Sequence, residues 1–204
     1  MMIRRPTRLF DRATDKVVAA EILNEISRDE LIDVHLDWQP ARLEALKSLR
    51  AEGKPWPENW HWDWGTKADN LNFLAYRCFA VECEGRTQGL MMISTIGWRG
   101  RIGIQAGKPV LYIEYIESAP WNLAGLVENP QFAGVGIALM QTAIQVSADE
   151  GFAGRIALHS LPQSQPFYRR YMNDLGIDST HAEQLCYFEM TEQQANEFVE
   201  RRPS

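Results

Sequence analysis

Residues 77–200 alternate between segments with the two-residue hydrophobic period of β-strands and segments with the longer period of α-helices. Three strands come first, and then helix, strand, helix, strand and helix. The predicted strands are Cys78–Cys83, Gln88–Ile96, Val110–Ser118, Arg155–Leu158 and Gln184–Met190, and the predicted helices are Gly134–Asp149, Ser164–Asn173 and Thr191–Glu200. This order predicts an α/β (α+β) domain built on one mixed sheet.

The first 76 residues carry a weaker pattern. Apolar residues between Val17 and Ile26 fit either a helix or an early strand that runs into one. Pro40–Glu52 is predicted as a helix that has Pro40 in its first turn and ends at Gly53. We therefore expect mainly helices before the sheet.

A tryptophan-rich segment follows this helix. The residues Trp56, Trp60, Trp62 and Trp64 lie in a stretch with prolines and a glycine, which is typical of a loop. Either the indoles form a hydrophobic cluster that pins the loop, or they form an aromatic wall or lid of a binding pocket.

The composition excludes several classes of protein. Hydrophobic residues make up 45% and charged residues 24% of the chain, as in an ordinary globular protein. The net charge of −6, without a basic stripe, argues against binding to nucleic acid or to an anionic membrane. The chain has no run of about 18 apolar residues and no apolar segment typical of a signal peptide. Three cysteines without CxxC spacing and four scattered histidines predict reduced thiols in a cytoplasmic protein and no metal site.

A glycine turn precedes the helix predicted at residue 134. Gly134 and Gly136 let the backbone approach a ligand closely, and the first-turn N–H groups and the helix dipole favour a phosphate there. The segment has no Gly-Lys-Ser/Thr, so it is not a P-loop. Leu139 stands where a dinucleotide fold needs a third small residue. A purely structural turn remains the alternative at this point.

Four segments together resemble the GNAT superfamily of N-acetyltransferases. Gln131, Gly134 and Gly136 match its Gln/Arg-x-x-Gly-x-Gly/Ala pyrophosphate loop. Residues 116–120 are similar to the end of its fourth strand, residues 155–160 to its fifth strand, and residues 166–170 to its Phe-Tyr helix. The resemblance covers residues 77–190.

The resemblance implies one GNAT-like domain over residues 1–204, with variable substrate-side helices and the tryptophan loop in 1–76 and the CoA-binding core in 77–190. Its central mixed, mostly antiparallel sheet would be flanked by helices, and its fourth and fifth strands would splay apart to admit pantetheine. The cosubstrate would be acetyl-CoA, without a metal. The residues implied to bind it are Ile116, Glu117, Ser118, Gln131, Phe132, Ala133, Gly134, Val135, Gly136, Ile137, Ser164 and Phe167.

The same resemblance suggests catalytic roles for two residues. Tyr168 would be the acid that protonates the CoA thiolate, with simple packing beside Phe167 as the alternative. Glu114 would assist deprotonation of the amine, because strand alternation places it on one face with Ile116. The alternatives for Glu114 are an ion pair with a cation such as Arg155, or ordered water as the base. Glu117 has the opposite parity and is the second choice.

The acceptor amine would contact Trp62, Trp64, Trp121 and His159. A lone histidine at a strand end is also a common structural residue. The chain departs from the family pattern in the insertion 121–129, in Ala133 where many members carry arginine, and in Leu161 where asparagine is frequent. Backbone amides would therefore hold most of the pyrophosphate.

The sequence predicts an N-acetyltransferase acting on a small molecule or a protein, and two rivals remain open. One is a non-catalytic acyl-CoA-binding or regulatory module on the same scaffold. The other is an enzyme specialised for a basic protein or peptide. The expected partners are acetyl-CoA and an amine, with no nucleic acid and no membrane. The sequence leaves the oligomeric state open, and a homodimer is compatible with the resemblance.

Overall fold

The computed structural model describes residues 3–200. Its strands are β1 (Ile3–Asp11), β2 (Lys16–Asn24), β3 (Tyr76–Cys83), β4 (Arg86–Ser94), β5 (Leu111–Ser118), β6 (Phe132–Ala133), β7 (Ile156–Ser160), β8 (Asn173–Ile177) and β9 (Cys186–Met190). Its α-helices are α1 (Arg28–Ala51), α2 (Trp64–Lys67), α3 (Val135–Asp149), α4 (Gln165–Tyr168) and α5 (Glu192–Glu200). No helix in this described range is long and apolar enough to cross a membrane.

The nine strands of residues 3–200 form one mixed sheet in the order β6-β1-β2-β3-β4-β5-β7-β9-β8. The pair β5–β7 is parallel, and its register joins only residues 111–113 with 156–158. Strand β5 continues to Ser118 and β7 to Ser160, so each strand extends beyond the residues that this register joins.

The N-terminal segment corrects the prediction of helices before the sheet. Strands β1 and β2 form an antiparallel hairpin in which Ile3 lies opposite Asn24 and Asp11 opposite Lys16. Four arginines and lysines on these strands, together with exposed apolar residues such as Ile3 and Val17, obscured the two-residue hydrophobic period in the sequence. Of the two readings of residues 17–26, the strand that runs into a helix is correct.

Helix α1 begins twelve residues before the predicted start at Pro40. The Ser27 hydroxyl accepts the Glu30 N–H at 3.3 Å, and the Glu30 carboxylate accepts the Ser27 N–H at 2.7 Å. This reciprocal capping box satisfies two N–H groups and fixes the start of the helix. Pro40 therefore lies in the helix interior, where it lacks an N–H to donate. The predicted end is confirmed, because Gly53 follows the helix with a φ of +67°.

Residues 3–200 pack into two compact units. The first consists of residues 3–92 together with Tyr115–Leu139, and the second of Ile93–Glu114 together with residues 140–200. In the first unit, Trp38 and Trp64 pack in a core with residues of β2, β3 and β4. In the second unit, Tyr112 and Tyr187 pack with Val110 and Ala157. Strand β8 was not predicted, because most of it is exposed and its sequence includes Gly176.

Candidate functional site

The glycine loop lies in the first unit, immediately before α3. Gly134 has a φ of +94°, a region that favours glycine, and a Cβ there would find its nearest neighbour at 3.8 Å. Conformation rather than space therefore demands glycine at this position. The Gly134 carbonyl accepts the first bond of the helix from Ala138 N–H. The N–H groups of the first turn have no partner within the helix, which makes this end suitable for an anion.

Strand β1 holds this loop, a feature that the sequence pattern did not reveal. Phe132 and Ala133 form β6 and pair with Asp11 and Phe10. Arg12 donates its backbone N–H to the Gln131 carbonyl at 3.0 Å. The exposed residue Arg12 therefore lies next to the loop, in which Ala133 supplies no charge.

Glu114 lies on β5 in the second unit, and its side chain is about half-buried. Burial raises the pKa of this carboxyl to about 7, although a hydrogen bond from Trp98 works against the rise. The postulated partner Arg155 instead donates to the Pro109 carbonyl at 3.1 Å and lies 3.9 Å from Glu192. Glu114 thus has the pKa that suits a base near neutral pH.

The Glu117 side chain is committed to the interior of the first unit. Its carboxylate accepts hydrogen bonds from Arg42 at 2.9 Å, from Trp64 at 2.6 Å and from the Asn59 amide. Burial raises the pKa of Glu117, while the Arg42 guanidinium and the other donors lower it. Only the Glu117 backbone is therefore left for a contact with pantetheine. The carboxylate instead joins β5 to α1 and to the tryptophan loop.

Tyr168 ends α4 in the second unit and is only 5% exposed. Its ring packs against Phe167 and Phe188, with centroids 5.2 and 5.7 Å apart. Burial raises the pKa of its hydroxyl, and no hydrogen bond of this hydroxyl is found among residues 3–200. Ser164 and Phe167, which were expected near the cofactor, are half-buried beside it.

His159 lies in a closed polar chain within the second unit. Its Nε2 is 3.0 Å from the Asp178 carboxylate, and its Nδ1 is 2.6 Å from the Tyr112 hydroxyl. Burial lowers the pKa of His159, so Nε2–H donates to Asp178 and Nδ1 accepts from Tyr112. The side chain is 3% exposed, and His181 stacks on it at 4.1 Å. This enclosure matches the structural alternative for His159.

The tryptophans divide into two groups. Trp64 is fully buried, and Trp121 donates to Gln88 at 2.8 Å and lies under the Arg86 guanidinium, so both anchor the first unit. Trp62 is half-buried and contacts Tyr115 with centroids 5.5 Å apart. The three tryptophans that the sequence placed at an acceptor thus have different surroundings.

A pocket of about 310 Å³ opens between α1 and the tryptophan loop, wholly within the first unit. Its walls include Trp62 and Trp64, two of the residues that were expected to contact the acceptor. The α1 residues that line it were not predicted, because their role depends on how the loop folds back on the helix. Within residues 3–200, no group of three or more His, Cys, Asp or Glu side chains is placed to hold a metal ion.

The sequence matches no family model and no curated protein. Its structure resembles an uncharacterized protein of Bacillus halodurans (TM-score 0.57, 8% identity, 95% of this chain and 94% of that one). It also resembles aminoglycoside acetyltransferase AAC(6')-Ib in complex with coenzyme A and kanamycin (TM-score 0.54, 14% identity, coverage 87% and 98%). A third match is a GNAT-family acetyltransferase from Listeria monocytogenes (TM-score 0.50, 12% identity, coverage 83% and 94%). The expected mixed, mostly antiparallel sheet with flanking helices is confirmed, and the chain has the GNAT fold.

Proposed function

We propose that this protein is an acyl-CoA-dependent N-acyltransferase that transfers an acetyl group from acetyl-CoA to an amine. The observation that carries the proposal is Gly134, whose positive φ turns the chain into α3 within a GNAT fold. The structural neighbour AAC(6')-Ib holds coenzyme A, which supports the same cosubstrate here. Fold alone does not establish an activity, so the site must supply the argument.

The proposed cofactor site consists mainly of backbone. The first-turn N–H groups of residues 134–137 would donate to the pyrophosphate, helped by the positive end of the α3 dipole. The β5 backbone near Ile116 and Ser118 lies beyond Ile113, the last β5 residue in register with β7, and would pair with the pantetheine amides. Gln131, Phe132 and Val135 belong to the same loop and would flank the phosphates.

The chemistry requires a neutral amine. Glu114 would accept a proton from the acceptor ammonium, directly or through water, and its pKa of about 7 suits that transfer. The amine nitrogen then attacks the thioester carbon, and the carbonyl oxygen gains charge that a β5 N–H near Ile116 would stabilise. Collapse of the tetrahedral intermediate forms the amide and breaks the C–S bond.

The departing CoA thiolate takes a proton in the last step. Tyr168 is the proposed donor on the resemblance of residues 166–170 to the family's Phe-Tyr helix, although burial raises the pKa of its hydroxyl and so makes it a weaker acid than an exposed tyrosine. The phenolate that forms would be reprotonated from solvent before the next cycle.

The binding test is calorimetry of acetyl-CoA with the wild type and with Gly134→Glu. The substitution places a side chain and a negative charge at the proposed pyrophosphate position, and we expect binding to be lost. Gly53→Glu is a matched control, because Gly53 also has a positive φ but lies at the end of α1. Circular dichroism must show that both variants are folded. Failure of the wild type to bind acetyl-CoA would refute the proposal.

The enclosure of Tyr168 favours a second candidate, a non-catalytic acyl-CoA-binding module on the same scaffold. We expect Tyr168→Phe to keep acetyl-CoA binding and to lower kcat for amine acetylation by about 100-fold. Unchanged turnover in this variant would end the proposed acid role. Tight binding of acetyl-CoA by the wild type, with no turnover over a broad panel of amines and proteins, would favour the module.

A further inference from the structure

The pocket between α1 and the tryptophan loop has an aromatic wall. Trp56 and Trp60 are 39% and 46% exposed, and their rings meet edge to face with centroids 4.9 Å apart. Trp64 behind them is fully buried and fixed by Glu117, so the loop is anchored without the outer pair. The indoles of Trp56 and Trp60 therefore present apolar surface that is not buried in the core. Such surface favours an aromatic or aliphatic ligand.

The opposite wall of the pocket is cationic. Lys47 and Arg50 line it from the last turns of α1, and no ion pair of Arg50 is found within residues 3–200. The ion pair of Lys47 with Glu44 spans 3.8 Å between side chains that are both 76% exposed, so it is weak. This local charge opposes the net charge of −6 of the whole chain.

The remaining charged groups of the pocket do not neutralise the positive charge of Lys47 and Arg50. Arg42 is paired with buried Glu117. Asp63 caps α2 by accepting the Thr66 N–H at 3.0 Å and lies 3.5 Å from His35 Nε2. His61 is the other titratable group of the wall. The described lining of the pocket thus has one carboxylate, Asp63, which already accepts a hydrogen bond, and two exposed cations, Lys47 and Arg50.

We propose that this pocket binds the acceptor through an apolar or aromatic body and a carboxylate, with the body against Trp56 and Trp60 and the carboxylate near Lys47 and Arg50. The acceptor is then an amine that also carries a carboxylate, and a polycationic amine such as an aminoglycoside is disfavoured by like charge. The acceptor role rests on the proposed acyltransferase function.

A matched ligand pair tests the charge preference without acetyl-CoA. Calorimetry would compare 4-phenylbutanoate with 4-phenylbutylamine, which share the same body and differ in charge. We expect the carboxylate to bind about tenfold more tightly at low salt, because attraction by two cations replaces repulsion. Arg50→Gln and Lys47→Gln should each reduce this difference. Arg28→Gln is the control, since Arg28 lies on the same helix but outside the pocket.

Equal or tighter binding of the amine by the wild type would overturn the proposal, and so would an unchanged carboxylate affinity in the Arg50 and Lys47 variants. A turnover assay then compares phenylalanine with phenethylamine, and we expect the higher kcat/KM for phenylalanine. Preference for phenethylamine would also overturn the proposal. Acetyl-CoA calorimetry is run in parallel, so loss of the acyltransferase function is recognised separately from loss of the anion preference.

Discussion

Arg42 on α1 donates to the Glu117 carboxylate on β5 across 2.9 Å, and the two side chains are only 8% and 1% exposed. Removing one partner of a buried ion pair leaves the other charge without compensation. We expect Glu117→Gln to lower the free energy of unfolding by about 3 kcal/mol in urea titrations. The exposed pair Arg28–Asp69 offers a control, because Arg28→Gln should change the free energy of unfolding by less than about 1 kcal/mol. Equal effects of the two substitutions would contradict the importance of this link.

Glu114 should give the reaction a rising pH limb. Its pKa of about 7 means that the carboxyl becomes an effective base only as the pH passes that value. We expect kcat to rise with pH through about 7, and Glu114→Gln to abolish this limb and to lower kcat by about 100-fold. Glu25→Gln removes an exposed carboxylate and should leave the profile unchanged. A rising limb that persists in Glu114→Gln would assign the base elsewhere.

The same residue should make stability fall as pH rises. The folded pKa of Glu114 lies above its ordinary value of 4.5, so between about pH 4.5 and 7 the folded state holds more protons than the unfolded state. The free energy of unfolding contributed by this group therefore decreases through that range. Glu114→Gln should remove this decrease, and chemical denaturation at pH 4.5 and 7.5 would measure it. A variant with the same pH dependence as the wild type would disprove the assignment.

Arg12 should strengthen the binding of acetyl-CoA modestly. Its backbone is bonded to Gln131 in the glycine loop, and its exposed guanidinium adds positive charge beside the proposed pyrophosphate site. We expect Arg12→Gln to raise the Kd for acetyl-CoA by about three- to tenfold at low salt and by less at high salt. Calorimetry with Arg28→Gln as the control would check this. A Kd unchanged at low salt would exclude a role for this charge.

Gly89 on β4 allows α3 to approach the sheet closely. A Cβ at this position would lie 2.3 Å from Val135 Cγ1 and 3.1 Å from Leu139 Cδ1. We expect Gly89→Ala to lower the free energy of unfolding by about 1–3 kcal/mol, because the helix must shift. Gly103→Ala is the control, since a Cβ there would have no neighbour within 4 Å. Matching denaturation midpoints for the two variants would contradict this packing argument.

Much of the fold of residues 77–190 was predictable because its signals are local. In strands β3, β4 and β5 the apolar residues lie close together in the sequence, and in α3 they recur at helical spacing. The turn at Gly134 was found from the glycine itself, since few other residues adopt its φ. The helix predicted from Thr191 is also fixed locally, because Thr191 and Gln194 bond to each other's backbone N–H groups at 3.2 and 3.0 Å.

The first 76 residues were predicted less well, because charge and exposure obscured their local pattern. The start of α1 depends on the capping box of Ser27 and Glu30, whereas the sequence pattern predicted a start at Pro40. The β1–β2 hairpin carries exposed apolar residues such as Ile3 and Val17, so its hydrophobic period is incomplete.

The sequence by itself determined the order of the main strands and helices and the glycine turn before α3, because those signals arise from residues within a few positions of one another. Only the tertiary structure decided that Glu117 belongs to the interior with Arg42, that Arg12 adjoins the glycine loop, and that α1 and the tryptophan loop enclose a pocket. Arg42 and Glu117 are 75 positions apart, and no local periodicity reports a contact over that separation. Such contacts follow from how the sheet and helices pack, and that packing places the candidate acceptor pocket.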